Sequence, residues 1–442
     1  MHTYYHQISN LYKDKGYKYI SKKLFNFLLV KFCKLFEFLI FLPSSFIILS
    51  LVRLISIFKP IRFFPLNYKR IGNIYNLYWY QKIFLSSKSK REGNSLDLFF
   101  VEDQNDRLKT WKKITTNNIK LLPFGLIWKH YFNLNKFFWN SKKFEIKNFS
   151  FLSNYYSIKE NYKDFTKISN FVDTNKILVE NNNFLYFKNK EQENGKNYLK
   201  KNGTQEYKYV CFASRDNAYL KYYNSKVDWS YHSWRNCEIN NFIPAIKYLS
   251  EEKNISCFRT GYKVEKKISY GNDKIINYAD SKDQSPLLDI YLPNKCLFGI
   301  FAQSGISLPS EFSGRPIVYV NWPDMQFNAF QNNSLVITKK YFSKKKNRYL
   351  SFKEILELPY DDLNINFNQI RDKYGISLEE NTPEEIKDVV IEQFKRIHNS
   401  WVETEEEKLL QKKFWLLYQK KFMKAPSFRI GSNFLKKYSA LI

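Results

Sequence analysis

The 442-residue chain lacks several motifs that mark well-known classes of enzyme. It has no Walker A sequence, no G-x-S-x-G elbow and no H-E-x-x-H motif, so it shows no sign of a P-loop NTPase, an α/β-hydrolase or a zincin. No D-x-D sequence occurs either, which argues against the glycosyltransferases that hold a nucleotide diphosphate through a metal ion. The sequence therefore predicts no metal site.

Cysteine and acidic residues are also scarce. The five cysteines are scattered and never occur in C-x-x-C spacing, which argues against a disulfide framework or a zinc site and favours a reducing compartment. Lys and Arg number 71 against 42 Asp and Glu, a formal charge of +29. This charge attracts polyanions such as nucleic acids, anionic lipids and phosphorylated ligands. An AT-rich genome produces the same bias, so the charge alone does not identify a nucleic-acid-binding protein.

One apolar block, residues 24–58, stands out in the N-terminal part of the chain. Its uncharged centre, Phe38–Val52, has 15 residues and contains Pro43. A helix of this length spans roughly 22 Å, which is short of a bilayer core of about 30 Å. Basic residues flank the block on both sides and suit anionic headgroups. We expect an interfacial or re-entrant membrane anchor; a membrane span and a buried pair of core helices are the alternatives.

Short apolar runs alternate with helix-length segments from Tyr209 to Trp322. The runs lie at 209–213, 256–261, 275–279, 297–301 and 316–322. This pattern is typical of buried parallel strands joined by crossover helices. Polar residues follow several of the runs, and ligands of open α/β sheets bind outside the carboxyl ends of the strands.

Two of these polar segments suit an anionic ligand. Arg215 follows the first run, where its guanidinium would grip a phosphate with two hydrogen bonds; an ion pair with Asp216 is the alternative. The turn at 302–307 follows the fourth run, and its small residues would bring backbone N–H groups to a pyrophosphate. An ordinary tight turn is the alternative there. Glu311, further along, would accept hydrogen bonds from a ribose or would simply be solvated.

His232 is one of five histidines in the chain and lies in the loop that follows Arg215. An imidazole at that position is suited to general-base chemistry. A loop histidine with no catalytic part is the alternative.

A series of short motifs follows the same order along the chain. They are Arg70-Ile71-Gly72-Asn73, Val210-Cys211-Phe212 with Arg215-Asp216, Arg235-Asn236 with Ile243-Pro244-Ala245, Ile276-Asn277-Tyr278-Ala279, Asp289-Ile290-Tyr291-Leu292, Ser304-Gly305-Ile306-Ser307 with Pro309-Ser310, Glu380-Asn381-Thr382-Pro383-Glu384-Glu385-Ile386 and Arg429-Ile430-Gly431-Ser432-Asn433-Phe434-Leu435. In this order they resemble a family of bacterial surface-polysaccharide glycosyltransferases. The chain departs from that family's pattern at two positions. Asn73 stands where a histidine is usual, and Ala213 stands where we expect a histidine before the arginine. If either histidine is catalytic in the family, that role is in doubt in this chain.

The resemblance implies an α/β protein of GT-B type, in which two Rossmann-like domains face a cleft. Weaker strand signals at 61–64 and 96–101 agree with a first such domain. The implied division is a membrane-associated helical anchor, an acceptor domain, a nucleotide-sugar-binding domain and a helical region that packs across both domains. These segments are residues 1–58, 59–187, 188–345 and 346–442.

The resemblance also implies sugar transfer from a nucleotide-sugar, which is a substrate, so that no cofactor is needed. Arginine and helix N–H groups would stabilise the leaving group in place of a metal. The acceptor would be a glycan or lipid-linked, at the cytoplasmic face of the inner membrane, with an anionic membrane surface as partner and no nucleic acid. Arg215 and His232 are the catalytic candidates. The donor-binding candidates are Arg215, Asp216, Arg235, Asn236, Ser304, Gly305, Ile306, Ser307 and Glu311.

A non-catalytic, membrane-attached basic protein that binds nucleic acid or a polyanionic glycan is the rival interpretation. It predicts basic residues in one continuous surface stripe, whereas the enzyme predicts basic residues that converge on a cleft.

The apolar block generates a prediction about membrane attachment. Because residues 24–58 combine apolar side chains with basic flanks, we expect the full-length protein to sediment with membranes and to need detergent for release. Deleting residues 1–58 should move the protein into the soluble fraction, as measured by fractionation and immunoblotting. A full-length protein that is already soluble without detergent would contradict the anchor.

Overall fold

A computed structural model describes about two thirds of the chain. The described residues are part of 21–58, together with 61–68, 96–104, 108–117, 121–125, 127–131, 185–268, 270–323, 325, 333–359, 367–422 and 428–442. The chain divides into two compact units. The smaller unit comprises Met1–Asn67, Glu92–Gln104 and Ile119–Phe151, and the larger comprises Tyr68–Arg91, Asn105–Asn118 and Leu152–Ile442.

The larger unit is built on a seven-stranded parallel sheet, as the alternating pattern predicts. Its strands are β3 (Tyr209–Ala213), β4 (Ser256–Arg259), β5 (Ile275–Ile276), β6 (Phe298–Phe301), β7 (Ile317–Trp322), β8 (Leu335–Thr338) and β12 (Arg429–Ile430). Every residue of β3, β6 and β7 is buried, because helices cover both faces of a parallel sheet. The predicted α/β class is therefore confirmed for this unit.

The direction in which the chain adds successive strands to the sheet reverses at the centre of the sheet. Along the sheet the strands run β12-β8-β7-β6-β3-β4-β5. From β3 the chain proceeds outward through β4 and β5, and then returns to β6 on the other side of β3. In open α/β sheets such a reversal opens a crevice at the carboxyl ends of the two central strands. In this protein those strands are β3 and β6.

The described helices of the larger unit are α1 (Lys109–Thr116), α2 (Asn189–Lys201), α3 (Ala218–Tyr223), α4 (Ile243–Lys247), α5 (Leu288–Asn294), α6 (Leu308–Phe312), α7 (Phe352–Leu356), α8 (Phe367–Tyr374), α9 (Pro383–Ile397), α10 (Glu405–Phe422) and α11 (Ser432–Lys437). Most of them are short, and the three long ones are α2, α9 and α10. The sequence predicts capping boxes at Thr382–Glu385 and Thr404–Glu407, and each of them begins a long helix. Thr382 and Glu385 exchange hydrogen bonds at the start of α9, and Thr404 and Glu407 do so at α10.

The sequence predicts a helical chain after Trp322 and one helix from Asn236 to about Lys253, and both predictions are wrong in part. Helices do follow Trp322, but the chain there also forms β8 and an antiparallel sheet of β9 (Lys340–Ser343), β10 (Arg348–Tyr349) and β11 (Ile376–Glu379). These strands have only two to four residues, too few for a periodic signal. The single helix expected from Asn236 to Lys253 is a 3₁₀ turn, α4 and a π turn in succession.

The smaller unit contains a two-stranded sheet of β1 (Ile61–Tyr68) and β2 (Leu96–Gln104) among its described residues. A second Rossmann-like domain at 59–187 stays a prediction, because most of that range lies outside the described residues. Described residues between 21 and 58 are helical, and Ile48 and Val52 pack against the buried Phe100 and Tyr131. Many other apolar side chains of this segment are exposed, for example Phe32, Leu54 and Phe58.

No helix found in the described part of the chain combines the length and the apolar character required to cross a membrane.

A pair of buried asparagines ties the sheet to α9. Each of Asn321 and Asn381 accepts the backbone N–H of the other through its side-chain oxygen, at 2.6 Å in both directions. The Asn381 amide also donates to the carbonyl of Thr338, at 2.8 Å. Both asparagines are completely buried, and Asn321 has a left-handed backbone with φ of 53°. This network joins the carboxyl ends of β7 and β8 to the start of α9.

The asparagine pair generates a stability prediction. Asn381→Ala leaves the Asn321 N–H and the Thr338 carbonyl buried without a partner, so the free energy of unfolding should fall by about 2–4 kcal/mol. Thr382→Ala is the matched control, since it removes only one capping bond and should cost about 1 kcal/mol. Urea unfolding followed by circular dichroism measures both. Equal losses of unfolding free energy in the two variants would show that the asparagine pair contributes no more to stability than one capping hydrogen bond.

Candidate active site

Loops from the two central strands meet at the carboxyl edge of the sheet. Arg215 lies two residues beyond β3, and Ser304 lies three residues beyond β6. The strands pair in parallel up to Ala213 and Phe301, and the Ala302 N–H continues the ladder to the Ala213 carbonyl at 3.3 Å. The prediction that the two segments share one edge of one parallel sheet is therefore confirmed.

Arg215 is buried, and neutral groups hold it. Its Nη1 donates to the carbonyl of His232 at 3.0 Å and to Oδ1 of Asn236. The carbonyl of Arg215 in turn accepts the N–H of Cys237, at 3.0 Å. Burial, with the charge of Arg235 second, lowers the pKa of Arg215 to about 10. The residue remains a cation at neutral pH, and none of the carboxylates that the structure describes forms an ion pair with it.

The alternative ion pair between Arg215 and Asp216 is not what holds this loop. Both carboxylate oxygens of Asp216 accept backbone N–H groups, from Ala218 and from Glu265, at 2.9 Å each. The first bond stabilises the start of α3, and the second ties the loop after β3 to the loop after β4. The Asp216 carboxylate therefore stabilises the loops after β3 and β4. Donor binding by this carboxylate stays a prediction.

His232 and Arg235 form the second part of the cluster. They lie on a 3₁₀ turn, Ser230–Arg235, with Arg235 Nη2 at 2.7 Å from His232 Nδ1. Burial, followed by the charges of Arg235 and Arg215, lowers the pKa of His232 to about 4. A neutral imidazole accepts the hydrogen bond from Arg235 through Nδ1. This low pKa makes His232 a weak base, and its role in general-base chemistry stays a prediction.

Lys339 is a third cation at this edge, and the sequence did not point to it. It follows β8, is 4% exposed, and donates from Nζ to the Asn236 carbonyl at 2.6 Å. Burial lowers the pKa of its amine. The 232–236 segment thus receives Arg215 from one strand and Lys339 from another. Asn236 accepts from both through different oxygens, so it organises the cluster instead of capping a helix as expected.

The turn after β6 is closed by its own polar groups. Ser304 Oγ donates to the Ala302 carbonyl at 3.2 Å, and Ser307 Oγ lies 3.0 Å from the Ser304 carbonyl and 2.7 Å from Glu311 Oε1. The same Glu311 oxygen accepts from Tyr319 OH at 2.6 Å. Burial raises the pKa of Glu311. Its predicted ribose contact stays a prediction; here the carboxyl stabilises the turn.

Gly305 and Ile306 bring this turn towards the loop after β4. They belong to a 3₁₀ turn, Gly305–Ser307, that leads into α6, which has only five residues. Gly261 in the facing loop has φ of 148°, which side chains rarely adopt. A Cβ at Gly261 would lie 4.0 Å from Ile306 Cδ1. The loops after β4 and β6 therefore approach each other across the end of β3.

Arg259 is, like Lys339, a residue at this edge that the sequence did not reveal. It is the last residue of β4, pairs in register with Phe212 of β3, and is 2% exposed. The available signal was a charged residue at the end of an apolar strand and two positions before a glycine. No pattern in the sequence shows that such a residue is buried.

Exposed aromatic rings extend the edge outward. Tyr222 and Tyr262 contact each other with ring centroids 5.7 Å apart, and Lys263 Nζ lies 5.3 Å from the Tyr222 ring. Trp229 stacks on Tyr231, with centroids 6.0 Å apart, on the turn that contains His232. Flat exposed rings of this kind offer a stacking surface to sugars or bases beside the cations.

No family model, curated protein or solved structure matches the chain. The likeness to polysaccharide glycosyltransferases therefore consists of the short motifs alone, and any function must be argued from the site.

The low pKa of His232 generates a pH prediction. The folded-state pKa is about 4 and the ordinary value is 6.5, so between these values the unfolded chain binds more protons than the folded one. This contribution to stability is present above pH 6.5 and is lost as pH falls towards 4. Arg235→Met removes one of the repelling charges and should raise the His232 pKa towards 6.5. NMR titration of ¹³C-histidine-labelled protein, with His232→Gln for assignment, measures the value. A wild-type His232 that titrates at 6.5 would contradict the cationic environment.

Proposed function

We propose that the protein is a metal-independent glycosyltransferase that transfers a sugar from a nucleotide-sugar to a glycan or a lipid-linked acceptor. The observation that carries this proposal is the convergence of buried cations at the reversal point of the parallel sheet. Arg215 and Lys339 approach one segment from different strands, and their hydrogen-bond acceptors there are neutral. A diphosphate supplies the negative charge that this edge lacks.

The chemistry follows from this charge distribution. Sugar transfer from a nucleotide-sugar breaks the bond between the sugar and the diphosphate, so negative charge accumulates on the leaving oxygen. Buried guanidinium groups already held in place stabilise such charge without reorganisation. Arg215 retains N–H groups beyond those of Nη1, and the 302–307 turn faces the same edge. Together they would receive the pyrophosphate, and the aromatic rings would hold the sugar or the base.

The smaller unit supports the acceptor side of the proposal. Its described helical residues bury Ile48 and Val52 in the unit's own core and expose other apolar side chains, among them Phe32 and Phe58. A helix with an unsatisfied apolar face and basic flanks suits the interface of an anionic membrane. The proposal therefore includes a GT-B arrangement, with a second Rossmann-like domain within 59–187, and a place at the cytoplasmic face of the bacterial inner membrane, where a lipid-linked acceptor is available.

The donor site generates a binding prediction. Arg215→Ala should weaken the best-binding nucleoside diphosphate by about 1.5–3 kcal/mol, the scale of a charge-assisted hydrogen bond, or roughly 10- to 150-fold. Isothermal titration of each folded variant measures this, after a thermal-shift screen of the common nucleoside diphosphates. Lys226→Ala is the control, since that exposed lysine precedes the same turn and should leave affinity unchanged.

Turnover measurements on the wild-type protein test the reaction class. Nucleotide-sugar turnover in the presence of membranes should continue in EDTA, because the proposed charge stabilisation comes from side chains. Complete loss of turnover that manganese or magnesium restores would overturn the metal-independent mechanism. Tight binding of nucleic acid, with no response to any nucleoside diphosphate, would instead favour the non-catalytic rival.

A further inference from the structure

Arg259 is a buried cation without a counterion in contact. Its side chain is 2% exposed, and its Nη1 is shielded from solvent with no hydrogen-bond partner in the described part of the chain. A guanidinium remains protonated in proteins, although burial lowers the pKa of this one. Burying a charge is costly unless it is paired and hydrogen-bonded. An unpaired charge of this kind costs stability, and the described residues supply no hydrogen-bond partner for its Nη1.

The nearest carboxylates do not serve as that partner. Asp216, Asp280 and Glu238 are close enough to attract Arg259, in that order of strength. Asp216 accepts two backbone N–H groups, Asp280 pairs with an exposed lysine at 2.7 Å, and Glu238 pairs with another lysine. None of the three forms an ion pair with Arg259 among the described residues. Asp216 keeps its charge, because backbone N–H groups do not cancel it, but no carboxylate among the described residues occupies the hydrogen-bonding position of Arg259 Nη1.

The position of Arg259 shows where the partner would enter. β4 lies directly beside β3, and Arg259 pairs in register with Phe212, three residues before Arg215. Two residues further on, Gly261 adopts φ of 148°, and a Cβ there would lie 3.0 Å from Val264 Cγ1. The backbone therefore turns sharply just beyond Arg259. This turn sets the loop after β4 against the loop after β6, at the reversal point of the sheet.

Arg215 and Arg259 differ in the hydrogen-bonding capacity that they keep. Nη1 of Arg215 already donates to His232 and Asn236, which fixes that side chain as part of the framework. Nη1 of Arg259 is buried and has no hydrogen-bond partner among the described residues, so its N–H donors are available to a ligand. A planar guanidinium with free donors matches two oxygens of a phosphoryl group.

We propose that Arg259 is the principal anion-binding residue of this edge and that it pairs with phosphoryl oxygens of the ligand, beside Arg215. The ligand class is a diphosphate. This inference rests on the proposed function only for the identity of that diphosphate as part of a nucleotide-sugar.

The test uses full-length protein in detergent and inorganic pyrophosphate as the probe. Arg259→Met removes the charge and keeps most of the stem, so pyrophosphate binding by calorimetry should weaken roughly 10- to 150-fold. The ligand-free variant should melt at the wild-type temperature or above it, because an unpaired buried charge has been removed. A residue with a purely structural role would show the opposite result, with a lower melting temperature and unchanged affinity. That result would overturn the proposal.

Two further variants complete the experiment. Arg396→Met is the matched control, since that arginine pairs with Glu392 at 2.8 Å; it should lower the melting temperature and leave pyrophosphate affinity unchanged. Arg259→Lys keeps a charge but loses the planar fork, and it should fold and bind roughly tenfold more weakly. If neither Arg259 variant folds, or if wild-type protein ignores pyrophosphate, the proposal is wrong.

The outcome is separable from that of the proposed function. Uridine, guanosine and cytidine diphosphates, compared with their nucleosides, show whether the anion belongs to a nucleotide. Loss of pyrophosphate binding in Arg259→Met with no sugar transfer from any donor would keep the anion site and reject the transferase. Sugar transfer that is insensitive to Arg259→Met would keep the transferase and reject the anion site.

Discussion

The larger unit depends on cations that are held by dipoles instead of carboxylates. Arg215 and Lys339 are both nearly buried, and their hydrogen-bond acceptors are two backbone carbonyls and one amide oxygen. A neutral acceptor fixes the position of a cation and satisfies its N–H groups without cancelling its charge. In a low-dielectric setting that remaining charge acts over a longer range than it would in water. Burial, followed by the charges of Arg235 and Arg215, lowers the pKa of His232 beside these cations.

The acidic residues around the edge explain why the field persists. Asp216 and Glu238 accept backbone N–H groups, and Glu380 accepts the N–H of Glu238 at 2.8 Å. Glu311 is committed to Ser307 and Tyr319. Each carboxylate thus shapes a loop and does not pair with one of the buried cations. A protein selected only for stability would pair these opposite charges, so the separation is a feature expected of a functional site.

The sequence predicted those parts of the fold that local patterns specify. The fully apolar run 209–213 is a central strand with the predicted bounds, and the capping residue Thr382 starts a long helix where expected. The parallel arrangement of the strands also followed, since the runs are apolar and joined by helix-length segments. Strands of two to four residues among charged residues were missed, because pairing with a neighbour creates them and no period of their own marks them.

Only those site residues that directly follow a strand could be placed in the site from the sequence. Arg215 and Ser304 could be placed on one edge for that reason. Lys339 reaches Asn236 across 103 residues of sequence, and Arg259 is buried by tertiary packing, so neither could be inferred from spacing. Both missed residues are charged and nearly buried, a combination that composition alone predicts to be exposed. Burial of a charge is decided by tertiary structure, and it is also what gives the edge its capacity to bind an anion. The chemically informative residues of this chain are therefore those that a linear reading assigns to the surface.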